Sequence, residues 1–563
     1  MTPPQTIPDT ATRPEPRYWS RLDTAQAVAD FSDPFHPPFS QRQYAQQHGI
    51  PRSTLGDWLR QDFPDHLDQE LVAFCRAPAG QAFLRRLVLA LLLVFHHQNA
   101  CGLRPIGHFL QLVELDHFVA SSYGALRTLD IRLQGDLVLF AQEERQRLAA
   151  GMAPKDIALC PDENFHGPHV CLVGIEPVSN FILVEAYREQ RDSITWATAI
   201  REGTEDLPVH IVLLTSDQAS GLVCCAEKEL EVMHQPDLLH LQCDLAKPIL
   251  LPLARPIHQA KKDLEKLRQK EERQEQADEK KPGSLTIAMC LANIQAEEQA
   301  QKDLEVGQQR LEQALGQIRG ISAAYHPFDR ETGQAVTAEP MQARLTTPLD
   351  RLQEVVEEGG LSERAHEAVQ KARKWVVLLV GCIAWFWTLT RQRLEQLGLS
   401  EEAERVVQEC LLAGYYWEMA SGKEKDPQER KRLKELAKAL QAKAWAEGGA
   451  LAGLSQAEKE EVKRVTQQCA DLFQRSSSCV EGRNGRLSLF HHGQTRLSEP
   501  RLKALTAVHN YVARREDGTT AAERFFGAKQ RDAFAWLLQR LPDLPRPAAK
   551  RPKRAAQQGG DQP

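Results

Sequence analysis

Four stretches decide the fold: IALCPDENF (157–165), HVCLVGIE (169–176), FILVEAY (181–187) and VHIVLLTSD (209–217). Each holds a short apolar or alternating run, and Gly, Pro, Ser and Asn punctuate the first three, as strands and their turns should read. An amphipathic stretch, 193–203, stands between the third and fourth runs. A helix-like stretch, 219–231, follows, and then LLHLQC (238–243) as a fifth apolar run. The order is β-β-β-α-β-α-β, a mixed α/β layer spanning residues 151–245.

Outward from that layer the periodicity becomes helical. Residues 63–150 read as helices, and between 246 and 474 dense Glu, Lys, Arg and Gln surround spaced Leu, with a break at Lys281-Pro282-Gly283. A long all-helical insertion therefore interrupts the sheet, which is expected to close with residues 475–540. Residues 1–38 carry Pro at 3, 4, 8, 14, 16, 34, 37 and 38 and read as a tether. The string FSQRQYAQQHGIPRSTLGDWLRQ (39–61) differs from it. Ser40 can cap a helix bearing Tyr44 and Ala45, Gly49 turns the chain, and Pro51 opens a second helix striped by Leu55, Trp58 and Leu59. That spacing predicts a DNA-binding helix-turn-helix over 39–62, with Arg52, Ser53, Thr54 and Asp57 facing the major groove.

The chain has 563 residues, beyond the roughly 250–300 at which one core stops growing. Its 42% hydrophobic and 26% charged residues exclude a largely disordered or collagen-like chain. A net charge of −6 gives no global attraction to nucleic acid, so basic surface must be local. It concentrates in 475–563, where 17 Lys and Arg face 8 Asp and Glu, a net of +9. Residues 541–563 within it read as a disordered basic arm. Twelve Cys without a Cys-x-x-Cys pair, and no secretory signal, are expected of a reducing cytosol. The apolar runs Leu87–Phe95 and Trp375–Thr390 fall short of the roughly 18–20 residues that span a bilayer, so both are expected as buried helices and no membrane partner is expected.

Three carboxylates stand out by position. Asp162 follows the first strand-like run, Asp217 ends the fourth, and Glu481 falls on the first turns of a helix beginning near Ser478, with Asn484 and Arg486 close by. Asp at the first and fourth strands is what an RNase H-like site needs, because those strands are neighbours there. Hard Mg²⁺ or Mn²⁺ ions choose such oxygen ligands, and two ions suit phosphodiester chemistry. Glu523 is the rival third ligand, and Glu163 is the local competitor of Asp162. Other features read as structural: His240, Cys243, Cys224 and Cys225 lack paired zinc spacing, Cys160 and Cys479 lack a partnered base, and Trp385 and Trp387 sit in a core-like run. Arg483, Arg486, His491, His492 and Arg496 are candidates for contact with DNA phosphate.

Several stretches resemble the bacterial insertion-sequence transposases of the DDE class: PDENFHGP (161–168), EPVSNFILVEAYREQRDSITW (176–196), TSDQASGL (215–222), PDLLHLQCDL (236–245), SSCVEGRNGRL (477–487) and VHNYVARREDGTTAAERFFG (508–527). The helical insertion before the Glu-bearing helix is similar to that of hAT and Mutator-like transposases. In Mutator-like enzymes a Cys and a His follow on the next strand, whereas here the order is reversed, His240 then Cys243. The resemblance implies an RNase H-like core and Asp162, Asp217 and Glu481 as ligands of two Mg²⁺ or Mn²⁺ ions. It favours Glu481 over Glu523, since the family's Glu precedes an Asn-x-x-x-Arg stretch by just under thirty residues and Glu481 precedes Asn510 by 29. It further implies cleavage and joining of double-stranded DNA at element ends and target, by a homodimer or higher oligomer in a bacterial cytoplasm, at the nucleoid. The charged helices of 257–318, with Leu264 and Leu267, are the expected interface. The alternatives are a catalytically silent, transposase-derived DNA-binding protein and an RNase H-fold nuclease that cuts without joining.

Overall fold

A computed structural model of the chain describes residues 27–28, 30–31, 40–59, 68–283, 285–490, 497–545 and 547. The tether expected over 1–38 and the basic arm over 541–563 lie largely outside the described residues, as do His491, His492 and Arg496. The architecture is α/β with predominantly helical content and one five-stranded mixed sheet. It divides into two units, Met1–Glu144 with Lys503–Ala513 and Gln530–Pro563, and Arg145–Leu502 with Arg514–Lys529.

The first unit opens with α1 (Gln41–Gln47) and α2 (Arg52–Leu59). Ser40 and Gln43 form a reciprocal cap at the start of α1, which satisfies donors that a helix start leaves orphaned. The turn passes through Gly49 at φ 63°, a left-handed conformation that favours glycine. Tyr44, Ala45, Ile50, Leu55 and Trp58 are buried together with Ala27, so the pair carries a small core of its own. After it come α3 (Gln69–Arg76), α4 (Pro78–Ala90) with its π-helical continuation Leu91–Gln98, α5 (Leu103–Leu112) and α6 (Tyr123–Ala149). Leu84, Val88 and Leu92 pack with Ile106, Leu110, Leu126 and Leu133.

The second unit holds β1 (Lys155–His166), β2 (His169–Glu176), β3 (Phe181–Arg188), α7 (Ser193–Thr204), β4 (Val209–Ser216), α8 (Ser220–Cys224) and β5 (Met233–Pro236). The order across the sheet is β3-β2-β1-β4-β5. β1, β2 and β3 are antiparallel neighbours, while β4 runs parallel to β1 and β5 parallel to β4.

Two expectations about the strands need correction. Asp162 lies within β1, not after it, because the strand continues to His166 in register with β2. LLHLQC (238–243) is not the fifth strand. It is the first turns of α9 (Leu238–Lys280), because the Asp237 side chain accepts from Leu239 N–H and starts a helix there.

The helical segment then runs α10 (Ile287–Ala324), α11 (Ala338–Glu358), α12 (Glu363–Glu395), α13 (Glu401–Val406), a π-helical turn Val407–Leu412, α14 (Ala413–Lys423), α15 (Pro427–Ala444) and α16 (Gln456–Leu472). Its core gathers Leu245, Ile249, Ile318, Tyr325, Phe328, Trp387, Trp417 and Phe473. Trp387 is core, its indole N–H donating to the Val336 carbonyl at 2.9 Å, and Trp385 packs partly buried against the same cluster.

α9 and α10 pack on each other as a hairpin. The stripe Ile257, Ala260 and Leu264 is buried, and a Cβ at Gly307 on α10 would sit 2.9 Å from Ile257 Cγ1. Leu264 is thus consumed inside the hairpin and does not present the interface expected of it. Leu267 stays half-buried beside Ala296 and Ala300.

α17 (Ser478–Phe490) packs on β1 and β2. The remaining segment does not close the sheet unit as one piece. α18 (Glu499–Tyr511) lies mostly in the first unit, α19 (Ala521–Phe526) in the second and α20 (Ala533–Arg540) in the first. The two apolar runs expected to be too short for a bilayer sit in helical stretches of 21 residues (Pro78–Gln98) and 33 residues (Glu363–Glu395). Both are long and apolar enough, by length and composition, to cross a membrane. Each also supplies buried side chains to a core, Leu84 to Leu93 from one and Trp375 to Leu394 from the other.

Candidate active site

Parallel pairing of β1 and β4 brings two of the three expected carboxylates to one level. Leu159 pairs with Leu214, and Asp162 and Asp217 each come three residues later. Asp217 stands just past β4, where its Oδ1 accepts from Ala219 N–H at 3.0 Å and turns the chain into α8. Glu481 sits in the first turn of α17 with its side chain 47% exposed. One turn on, Asn484 donates its amide to Asp162 Oδ2 at 2.9 Å, fixing α17 against β1.

The charges of these groups act on one another. The Asp162 carboxyl is pushed up to about 7, first by burial and then by the charges of Glu481, Glu163 and Asp217. Crowded carboxylates hold a proton in this way because two like charges side by side cannot both ionise cheaply. All three donors are carboxylates, the set that hard divalent ions prefer.

His240 joins the cluster from the first turn of α9. Its Nε2 lies 3.8 Å from Glu481 Oε1 and its Nδ1 2.9 Å from Asp237 Oδ2. Its pKa is pushed up to about 9, chiefly by the hydrogen bond to Asp237, with Asp217 and Glu481 contributing charge. At neutral pH it is an imidazolium beside the carboxylates. Asp237 is fully buried and accepts from Ser477 Oγ at 2.5 Å. Burial would raise its pKa, but the bonds from His240, Ser477 and Leu239 N–H bring it below the usual carboxylate range. His240 is therefore tied to Asp237 on a helix; Cys243 is exposed and Cys225 buried, and the four residues weighed as a zinc set do not gather.

Each rival carboxylate has a partner of its own, although the charge of Glu163 still bears on Asp162. Glu523 caps α19, its carboxylate accepting from Thr520 N–H at 2.9 Å and facing Arg514 at 3.7 Å. Glu163 pairs with Arg191 at 3.0 Å.

Of the expected DNA-contacting residues, Arg483 needs correction. It makes a bidentate pair with Glu185 of β3 at 2.7 and 2.6 Å, and the two side chains are 3% and 0% exposed. It is a structural cation, sealed from phosphate. Arg486 is half-buried. On α2, Arg52, Ser53 and Asp57 are exposed and Thr54 half-buried. Sequence reasoning missed the Asp237–Ser477 link and the Glu185–Arg483 pair; both join residues about 240 or more positions apart, and no local pattern signals them.

In comparison with known proteins, a family of unknown function, DUF6399, matches residues 407–553. That segment contains Glu481, Asn484 and Arg483 but neither Asp162 nor Asp217. No curated protein and no solved structure matches the chain significantly.

Proposed function

We propose that this chain is a DNA transposase of the DDE class, with an RNase H-like core split by a helical insertion and an N-terminal helix-turn-helix that reads element ends. The observation that carries the proposal is the meeting of Asp162, Asp217 and Glu481, contributed by β1, the end of β4 and α17. The sheet order, with three antiparallel strands followed by two parallel ones, supports the same reading.

Asp162, Asp217 and Glu481 are the residues that would hold two Mg²⁺ or Mn²⁺ ions. Such ions, when bound, supply an activated oxygen nucleophile and neutralise the leaving oxygen. The chain's own groups set the stage: Asn484 holds one oxygen of Asp162, and Asp237 orients His240 beside Glu481. The proposed reaction has two displacements at phosphorus. In the first, water oxygen bonds to phosphorus at the element end and the bond to the 3′ oxygen breaks, freeing a 3′-hydroxyl. In the second, that 3′ oxygen bonds to a target phosphorus and displaces the target's own 3′ oxygen. On α2, exposed Arg52 and Ser53 with Thr54 and Asp57 form the base-reading edge, where an Arg can pair with guanine. Two protomers or more act together, because two ends must be joined.

The test is incubation of purified protein with labelled DNA carrying its element ends and a supercoiled target, in Mg²⁺ or Mn²⁺, beside Asp217→Ala and Glu481→Ala. Joined products from the unsubstituted protein alone support the proposal. Cleavage without joining makes the protein a nuclease, and binding without cleavage in either ion makes it a DNA-binding protein. An active Glu481→Ala removes Glu481 from the site.

A further inference from the structure

His96, His97 and Asp130 meet inside the first unit, and none of them belongs to the carboxylate site. The histidines end the π-helical stretch Leu91–Gln98, and Asp130 faces them from α6. His96 is 4% exposed, His97 1% and Asp130 0%. The two oxygens of Asp130 are used differently. Oδ2 accepts from Arg127 at 2.6 Å and from Gln134 at 2.9 Å. Oδ1 faces two ring nitrogens, His97 Nε2 at 2.9 Å and His96 Nε2 at 3.6 Å.

The tautomer of His96 follows from its other nitrogen. Nδ1 lies 2.6 Å from the Cys101 carbonyl oxygen, which can only accept, so Nδ1 carries the hydrogen. Nε2 of the neutral ring then presents a lone pair. That atom is buried and has no hydrogen-bond partner among the described residues. The His96 Nε2 lone pair thus stands 3.6 Å from Asp130 Oδ1, out of water, with His97 Nε2 2.9 Å from the same oxygen. Leaving a buried acceptor such as His96 Nε2 unmatched costs stability, and a cation shared with the Asp130 carboxylate removes the cost.

The spacing suits a metal. Ligand distances of about 2.0–2.2 Å at a tetrahedral centre place neighbouring donor atoms roughly 3.3 Å apart. The observed 2.9 and 3.6 Å bracket that value, and one donor atom from each residue falls within 4.8 Å of the others. A metal-bound histidine usually gives its other ring N–H to a carbonyl or carboxylate, the arrangement His96 has with Cys101. Two imidazoles and one carboxylate form a nitrogen-rich set that selects zinc and its first-row neighbours over Mg²⁺. π-Helical turns, moreover, occur frequently at functional sites.

We propose that His96, His97 and Asp130 bind one divalent transition-metal ion of the zinc class, which clips the end of the α4 helix to α6. The role is structural, and it stands independently of the phosphodiester chemistry assigned to the carboxylates.

The experiment uses the full chain carrying Asp217→Asn and Glu481→Gln, so that the carboxylate centre does not compete for metal. The protein is stripped with a chelator and titrated with Co²⁺, followed by its visible ligand-field absorption, then with Zn²⁺. One equivalent of Co²⁺ should absorb and be displaced by Zn²⁺, and Zn²⁺ should raise Tm. His96→Gln and Asp130→Asn, each added to that background, should abolish both signals. Absence of both signals in the parent protein leaves an imidazolium–carboxylate pair at the site and overturns the proposal, whether or not the variants fold. Retention of the full Co²⁺ spectrum in His96→Gln overturns it as well.

Discussion

Replacing Asp162 by Asn tests the physical core of the site without requiring a DNA substrate. The Asp162 carboxyl is pushed up to about 7 from an ordinary 3.8, first by burial and then by Glu481, Glu163 and Asp217. A raised carboxyl pKa means the folded state holds the proton more tightly than the unfolded chain. The stability this confers is fully present below pH 4 or so and is lost as pH rises through about 7. Three pKa units at about 1.36 kcal/mol each put the loss on the order of 4 kcal/mol. Asp471, in α16, is also pushed up to about 7 by burial, so it adds a second loss of the same sign in the same window. The amide that Asp162→Asn introduces is a neutral near-isostere of the carboxyl and can still accept from Asn484. Thermal melts of metal-free protein between about pH 5 and 8 should therefore show a falling Tm in the wild type and a shallower fall in Asp162→Asn. Mg²⁺ should recover the Asp162 share at high pH and leave the Asp471 share. An unchanged pH slope in Asp162→Asn, or a wild-type Tm at pH 8 indifferent to Mg²⁺ and Mn²⁺, would refute the reasoning.

Arg483→Ala leaves the Glu185 carboxylate buried without its partner, and urea denaturation should show a loss of about 3–5 kcal/mol; replacing both by apolar residues of similar volume should cost less. Arg52→Ala should weaken DNA binding by about 1–3 kcal/mol with Tm unchanged, whereas Trp58→Ala empties the core of the α1–α2 pair and should abolish binding by local unfolding, visible as lost amide-exchange protection over residues 40–59. Asp237→Asn replaces the charged acceptor of the bond that does most to raise His240 with a neutral one, so NMR titration should find the His240 pKa well below about 9; an unchanged value would mean that the Asp237 charge is not what holds the proton.

Much of the sheet was legible because β2, β3 and β4 are apolar and bounded by turn residues. β5 was not, because its burial is achieved with polar side chains. His234 meets Ser216 Oγ at 2.9 Å and Gln235 reaches the Tyr325 hydroxyl at 3.3 Å, so Met233–Pro236 shows no strand pattern. The neighbouring LLHLQC does look like a strand, and only the Asp237 cap reveals a helix start. The places of the carboxylates were readable only in part: Asp217 does follow a strand run and Glu481 falls on a helix start, whereas Asp162 lies within β1. Arg483 was misread because an Arg in a basic segment is ordinarily solvated, and its partner Glu185 lies 298 positions earlier. His96 and His97 were visible as a pair inside an apolar run, yet the third member comes from another helix.

The helical insertion is joined to the sheet in a way that accounts for the position of Glu481. It leaves the sheet at Asp237 and returns at Ser477, and these two residues bond to each other, with Leu238 N–H donating to the Arg475 carbonyl at 3.1 Å beside them. The neck is thus closed by hydrogen bonds between residues 240 apart, and closing so long a loop costs little more entropy than closing a shorter one. Four residues beyond Ser477 comes Glu481, and three beyond Asp237 comes His240, so the closure itself sets these two side chains 3.8 Å apart. The position of the third carboxylate therefore depends on the neck and on Asn484, not on the length of helix between. Shortening the α9–α10 hairpin at its Lys281–Gly283 turn should leave the site assembled, whereas Ser477→Ala, which removes one donor from buried Asp237, should displace Glu481 and lower the His240 pKa together.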